Sequence, residues 1–460
     1  MATIPITRQP RNYTIEKFYG LNQAKYGDTQ LILGESGDLQ NVYITRDYDI
    51  SKMYGYKQLM ATVGATKSVQ GMWYGKIGAT DYFLVAVNGH VYSLDNGWWS
   101  NFVSTDTWAS ATTDLGTLTD APTQFLGFGN KVYIINGSEY KYWSGTGSIA
   151  DVTGYVPKTY IGCLPATGAG TAYESLNLLT GARRKTFHGD GTSTVYKLVD
   201  TGIASVDSVY VDGALKTVTT HYTVSLANGT VTFKAGNIPA TGLDNVEIYY
   251  TSGSGSRAEV FNNKFITKFG TASDNRVFLY GNANYKNKIL FSPLANGVPS
   301  AEYFTAVDYI EAGESNSYVT SLEATQSHLF IHKPTETYSA YYDAVDIDGV
   351  TVVNFPTTLI NGTRGNVPMG QGQILANYPF TIDSQLLKWL PEYSTTKDER
   401  NAVNMGERIQ VDLDELTMSS TLTVDKQNSS EMFISNGTKL WIYRYDLGYT
   451  RDGSKGKYKT

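Results

Sequence analysis

Residues 83–94 read FLVAVNGHVYSL, two apolar runs joined by Asn88 and Gly89. An Asn-Gly pair between apolar runs is the strongest short-range hairpin signal, because both residues accept the positive φ that a tight, twist-matched turn needs. The pattern returns along the chain. KVYIINGSEYKYW turns at Asn136, RVFLYGNANYKNKILFS near Asn284, HLFIHKPTETYSAYY at Pro334, PFTIDSQLLKWL at Asp383 and EMFISNGTKLWIYRY at Asn436. Successive turns lie 48 to 53 residues apart, except for one interval of 148.

Ahead of these hairpins stand further strand-like runs: TQFLGFG (123–129), NKFITKFG (263–270), VTSLEATQ (319–326) and GQILANY (372–378). Each copy is therefore a three- or four-stranded meander. A small twisted meander cannot bury its faces alone, and radial stacking around an axis buries both while leaving short edges. The expected fold is all-β, a six- or seven-bladed β-propeller. Residues 30–60, with LILG and NVYIT, either complete the final blade or build another.

The long interval marks an insertion. Flexible Gly/Ser/Thr compositions flank it, CLPATGAGTAYES (163–175) and TSGSGSRAE (251–259). Between them STVYKLVD, SVYVDGALKTV, YTVSLANGTVTF and NVEIYYT alternate with Gly-rich turns, the pattern of a small inserted β-sandwich. The expected division is 1–163 for the N-terminal part of the propeller, 164–258 for the insert and 259–460 for the C-terminal part.

Composition agrees with many short strands. Only 17% of the 460 residues are charged, against a usual share of about 25%. Thirty-five Tyr and 45 Gly replace them, and aromatic side chains suit a pleated, half-buried surface. Cys163 is the single cysteine, so it forms no intrachain disulfide and no Cys-based zinc site. The first 20 residues lack the apolar core of a secretory signal, and no run is long and apolar enough to span a bilayer. A formal net charge of −6 argues against tight wrapping of nucleic acid.

Local motifs with chemical promise dissolve on inspection. SLDNGWW (93–99) resembles the Asp-box turn of sialidase propellers, but its aromatics Trp98 and Trp99 come too early. In an EF-hand frame DAVDIDGV (343–350) puts Ala344 at the first ligand and Phe355 where the bidentate Glu belongs, so it reads as an exposed acidic loop between blades. His90, His328 and His332 read as strand residues, and the separation of His328 from His332 lacks HExxH geometry on a strand. His188 and His221 are scattered. Asp412, Asp414 and Glu415 are carboxylates of a kind any chain of this length offers. Arg183, Arg184 and Lys185, with the terminal RDGSKGKYK, read as solvated surface, with phosphate or subunit contact as the alternative. The Asn-x-Ser/Thr triplets at Asn136, Asn228, Asn361, Asn428 and Asn436 read as turn chemistry. No catalytic, cofactor-binding or metal-ligating residue is nominated.

The stretch 274–342, with Gly-Asn before ILFS, an acidic YIEAGE and the strand LEATQSHLFIHK, resembles the propeller segment of bacteriophage virion proteins. The early FYGLNQ, GDLQNVYITRD and YGYKQL resemble the opening of those proteins, and the insert, with FHGDGTSTVYKL and VEIYYT, resembles a small β-domain of phage structural proteins. The family is the tail nozzle or packaged-DNA stabilisation proteins of short-tailed phages. This resemblance implies a homo-oligomeric ring, a hexamer, beneath a tail adaptor protein, with a tail fibre or needle protein as a further partner. It also implies double-stranded DNA passing without tight binding, no cofactor, no enzymatic activity, and a place in the virion tail assembled in the host cytoplasm. Two other functions are weighed against it. One is a receptor- or glycan-binding virion propeller, favoured by Trp98, Trp99, Trp108 and Trp143; the other is a glycan hydrolase on the same fold.

Overall fold

The computed structural model describes residues 12–23, 31, 33–53, 55, 68–94, 112–347, 350–391, 398–446, 448–450 and 457–459. The chain is all-β, built of many small sheets, and among the described residues two short α-helices, Arg257–Phe261 and Gln410–Asp414, interrupt the strands. By packing it divides into two compact units. One holds Met1–Lys57, Thr320–Tyr341 and Thr358–Thr460, the other Gln58–Val319 and Tyr342–Thr357.

The second unit contains three four-stranded antiparallel meanders. The first runs Val69–Ile77, Thr80–Val87, His90–Leu94, Thr112–Thr117; the second Gln124–Phe128, Lys131–Ile135, Tyr140–Trp143, Ala150–Asp151. The third is Phe265–Gly270, Asn275–Tyr280, Lys288–Phe291, Tyr309–Glu311. The middle meander is covered on both faces. Val132 and Ile134 pack with Leu84, Val91 and Leu115 of the first, while Tyr133 and Ile135, pointing the other way, pack with Val277, Leu279 and Leu290 of the third. Alternate residues of a strand face opposite sides, so a continuous apolar run such as VYII is what a strand buried on both faces requires. Each such side chain contributes about 1.5–3 kcal/mol on burial.

The other unit repeats the scheme. Its fourth meander is Ser321–Ala324, Leu329–His332, Thr337–Ala340, Thr357–Asn361; the fifth is Gln373–Leu375, Tyr378–Ile382, Leu386–Trp389, Ala402–Asn404. The sixth has three strands among the described residues, Leu422–Lys426, Glu431–Ser435 and Leu440–Arg444. The fifth is again the covered one. Leu387 and Trp389 meet Phe330 and Ile360 of the fourth, and Phe380 and Ile382 meet Met432 and Ile434 of the sixth. In both units neighbouring meanders approach along their first strands. There the Thr123 amide donates to the Gln70 carbonyl at 2.9 Å, the Gly370 amide to Thr320 at 2.7 Å, and the Thr423 hydroxyl to the Gln371 carbonyl at 2.6 Å.

The turns explain the repeat, in two different ways. Asn88 and Gly89 have φ of 52° and 71° and join Val87 to its partner His90, a two-residue turn as the pair implies. Asn136, Asn361 and Asn436 are not of that kind. Each heads a longer loop, and its Oδ1 accepts the amides two and three residues on: Ser138 and Glu139, Thr363 and Arg364, Thr438 and Lys439. An Asx clamp of this sort satisfies the loop's own donors. Asn136 and Asn361 are buried, so at these two triplets turn chemistry is the physical role of the asparagine.

The interval between the second and third meanders holds two sheets. Six strands order as Thr171–Ala172, Lys158–Cys163, Ala182–Gly189, Gly242–Thr251, Ser205–Val211, Ala214–Lys216, and three as Val195–Lys197, Thr230–Phe233, Tyr222–Ser225. They share one core that includes Phe187, Tyr196, Val209, Val231, Phe233, Val246 and Ile248. The Gly/Thr-rich stretch expected to be a linker is tied to the sheet instead: Cys163 is fully buried, and Thr171 and Ala172, though exposed, pair with Ile161 and Tyr160. DAVDIDGV also differs from its expected form as a loop. Asp343–Ile347 and Val350–Asn354 pair as antiparallel strands, and Asp348 and Gly349 lie outside the described residues.

Candidate functional site

A polar seam lies between the fourth and fifth meanders. Register places Ser321 opposite His332 and His332 opposite Thr337, and Glu323 shares their face two residues from Ser321. All four side chains are buried. The Thr337 hydroxyl donates to the Arg364 carbonyl at 2.9 Å, so toward His332 Nδ1, 2.8 Å away, it accepts. His332 Nε2 then stands 3.0 Å from Glu323 Oε2, with the Trp389 ring 4.9 Å from the imidazole. Gly372 makes room for the carboxylate: a Cβ there would sit 1.4 Å from Glu323 Oε1. Ser, His and Glu are thus brought together, but the seam is enclosed and no substrate reaches it. Its chemistry is that of a buried pair that sets how two sheets meet. The sequence showed it only as polar letters inside LEATQSHLFIHK.

A second concavity, of about 550 Å³, opens over the first strands of the three meanders in the other unit. Trp73 forms its centre. A Cβ at Gly75 would lie 2.5 Å from the indole and one at Gly127 3.1 Å from it, so the ring lies flat across two glycines. Lys76, Lys268, Asn275 and Phe125 complete the lining, and Lys76 is held by Asp81 at 2.7 Å. An aromatic plane with a few converging donors is the usual make-up of a small-ligand site. A third concavity, about 710 Å³, lies in the first-described unit along Leu440–Arg444 and is walled by Phe18, Tyr19, Tyr43 and Tyr48.

The residues singled out by sequence are placed as follows. Trp143 is buried and donates to the Gly147 carbonyl at 2.9 Å, so it offers no exposed platform. Trp98, Trp99 and Trp108 lie outside the described residues, as do 451–456 of the terminal basic run. Arg183, Arg184 and Lys185 are not solvated surface. Arg183 pairs with Asp200 at 3.3 Å, Arg184 with Glu247 at 3.1 Å, and Lys185 is buried with its ammonium on the Leu198 carbonyl. Burial pushes the Lys185 ammonium below its ordinary range, and burial likewise pushes the Cys163 thiol up. Asp412 accepts from the Trp441 indole at 2.9 Å and Asp414 from Gln410 at 2.7 Å, both structural bonds. His90 pairs with Asp114 at 2.8 Å, and His221 accepts from the Thr217 amide. Among the described residues no group of three or more His, Cys, Asp or Glu could hold a metal ion, and no helix is long and apolar enough to cross a membrane.

The fold defines an all-β protein of small, mostly antiparallel sheets. Neither a protein-family model nor a curated protein matches the chain. Among solved structures it is similar to the AfRom2 CNH domain at 7% identity and TM-score 0.28, over 84% of this chain and 96% of that one. It is also similar, at 10% identity and TM-score 0.28 over 82% of this chain, to PorZ, an essential bacterial surface component of the type-IX secretion system of Porphyromonas gingivalis. The match spans 37% of the PorZ chain. Likeness at this level assigns no function.

Proposed function

We propose that the six meanders stand as blades around one axis, with the two-sheet module projecting between the second and third, and that the protein is a structural ring component of a bacteriophage tail. The observation that carries this reading is the burial of the second and fifth meanders on both faces, with first strands as the line of closest approach. Sheets that meet along one edge and fan apart at the other are a sector of a propeller. Each unit also keeps an outward apolar strand: Met72 and Tyr74 on the first meander, Leu422 and Val424 on the sixth, all 56–60% exposed.

A closed stack of meanders is a stiff body, and stiffness is what a ring subunit needs to hold two lateral neighbours, an adaptor above and a fibre or needle below. The resemblance of residues 274–342 to phage virion propellers supplies the place, a nozzle or tube segment that retains packaged DNA until ejection. A net charge of −6 fits a conduit that DNA slides through, since an acidic protein disfavours tight phosphate contact. This role needs no catalytic residue. Electron microscopy of the purified protein tests it: rings with a central opening support the reading, and monomers at all concentrations overturn it.

The Trp73 cleft favours a second reading, a glycan-binding virion propeller, because a half-buried indole lining an open cleft with Lys268 and Asn275 beside it suits a sugar ring. A glycan array on the parent and on Trp73→Ala separates the two: binding that the substitution abolishes supports the second reading.

A further inference from the structure

We infer that Asn296 is a self-modification site, at which spontaneous deamidation converts the Asn296-Gly297 turn to aspartate or isoaspartate and releases the clip between the third meander and the inserted module. The chain has seven Asn-Gly pairs, at Asn88, Asn96, Asn136, Asn228, Asn296, Asn361 and Asn436, and Asn96 lies outside the described residues. Glycine following asparagine leaves its nitrogen sterically open to the preceding side chain. What distinguishes the six described pairs is how the carboxamide and the glycine nitrogen are held.

Asn136, Asn361 and Asn436 are clamped, each Oδ1 accepting two backbone amides, and Asn361 also donates to Asn401 Oδ1 at 2.9 Å. To react, the carboxamide would have to abandon those bonds. At Asn228 the Gly229 amide is spent on the Leu226 carbonyl at 3.3 Å. Asn88 carries no side-chain clamp, but its turn is half-buried and the Gly89 carbonyl accepts from Leu118 at 2.8 Å. Asn296 is exposed, with φ of 49°, in a two-residue turn between Ala295 and Val298, and its carboxamide has no hydrogen-bond partner among the described residues.

The reaction balances with water alone. Gly297 N loses its proton to solvent base and attacks Cγ of Asn296, and the bond from Cγ to the carboxamide nitrogen breaks. Ammonia leaves, taking a proton from water, and a five-membered succinimide remains. Water then opens either ring carbonyl, giving aspartate or, with the main chain rerouted through the side chain, isoaspartate. The consequence is local. The Asn296 amide donates at 3.0 Å to Glu174 Oε1, the carboxylate that also takes the Lys158 amide at 2.6 Å and the Tyr155 hydroxyl. A new carboxylate at 296 places like charge beside Glu174, and an extra main-chain atom displaces the donating amide.

The test is peptide mapping by mass spectrometry, with chromatography that resolves isoaspartate, on the full chain aged in mildly alkaline buffer. Asn296 is expected to convert first, several-fold faster than any of Asn136, Asn361 and Asn436, with Asn88 between. Equal rates at clamped and unclamped sites, or a clamped site converting first, would overturn the assignment. The consequence has its own readout: Asn296→Asp is expected to speed hydrogen exchange at the Lys158 amide, whereas Asn296→Gln keeps it slow. Unchanged exchange in Asn296→Asp would refute the clip.

Discussion

Replacing Gly372 by alanine puts one methyl group where the buried Glu323 carboxylate already is. The new Cβ would stand 1.4 Å from Oε1, 2.3 Å from Cδ and 3.0 Å from Ser321 Oγ. Glu323 has little freedom to yield, because His332 lies 3.0 Å beyond it with no exposed surface of its own. Two routes relieve the clash. Spreading the fifth meander from the fourth is overpacking, which costs about 1–3 kcal/mol. Swinging Glu323 aside pushes a buried polar side chain into packed surroundings, and each polar group left unpaired there costs about 1–3 kcal/mol on top of the repacking. The chain takes the cheaper route, so Gly372→Ala is expected to lose about 1–3 kcal/mol in urea unfolding followed by circular dichroism and by tryptophan fluorescence, to which Trp389 in the seam contributes. The decisive arm is a double-mutant cycle. In a Glu323→Ala background the methyl has room, and adding Gly372→Ala is expected to cost less by at least about 1 kcal/mol. A single substitution within about 0.5 kcal/mol of the parent, or the same cost in both backgrounds, would refute the packing described for this seam.

Other consequences are as direct. Trp389→Ala empties the largest fully buried side chain among the described residues and is expected to cost about 3–5 kcal/mol in the same unfolding assay. Asn361→Ala removes the acceptor for two loop amides and the donor to Asn401, for an expected loss of about 1–3 kcal/mol, while Asn436→Ala, in an exposed loop where water replaces the bonds, is expected to lose less. The Arg400 guanidinium and amide hold the Asp398 carboxyl down at about 2, against an ordinary 3.8. A depressed carboxyl stabilises above its unfolded value and stops doing so as pH falls through the folded one, so this turn is expected to keep its bonds at pH 4 and lose them near 2 in an NMR titration, a window that Asp398→Asn abolishes. Duplex DNA is expected to bind weakly at physiological salt in a filter assay, and tight, steeply salt-dependent retention would contradict the conduit reading.

Much of the strand architecture is legible in the sequence, because turn chemistry and apolar runs are local. FLVAVNGHVYSL declares its hairpin through Asn88-Gly89, and TQFLGFG, NKFITKFG, VTSLEATQ and GQILANY each supply a strand ahead of one. What depends on a distant partner is not legible. Nothing near Asn136 says that its carboxamide, rather than its φ, makes the turn. Lys158–Cys163 pairs in parallel with Ala182–Gly189 across a glycine-rich stretch that reads as linker, because parallel pairing leaves no hairpin signal. Arg183, Arg184 and Lys185 look like a surface patch until Asp200, Glu247 and Leu198 are brought beside them. The His332–Glu323 pair could have been suspected from the strand register, which aligns polar residues on one face, but its enclosure comes from Trp389 and Gly372 in the next meander. The Trp73 cleft rests on Gly75 and Gly127, glycines whose value appears only when two strands lie together.

An electron cryo-microscopy map of the isolated chain, fine enough to separate sheets, tests the arrangement of the meanders about one axis most directly. Six small sheets set radially is the result that the proposal expects. Two stacks of three sheets that share no axis would contradict it and remove the basis for the ring.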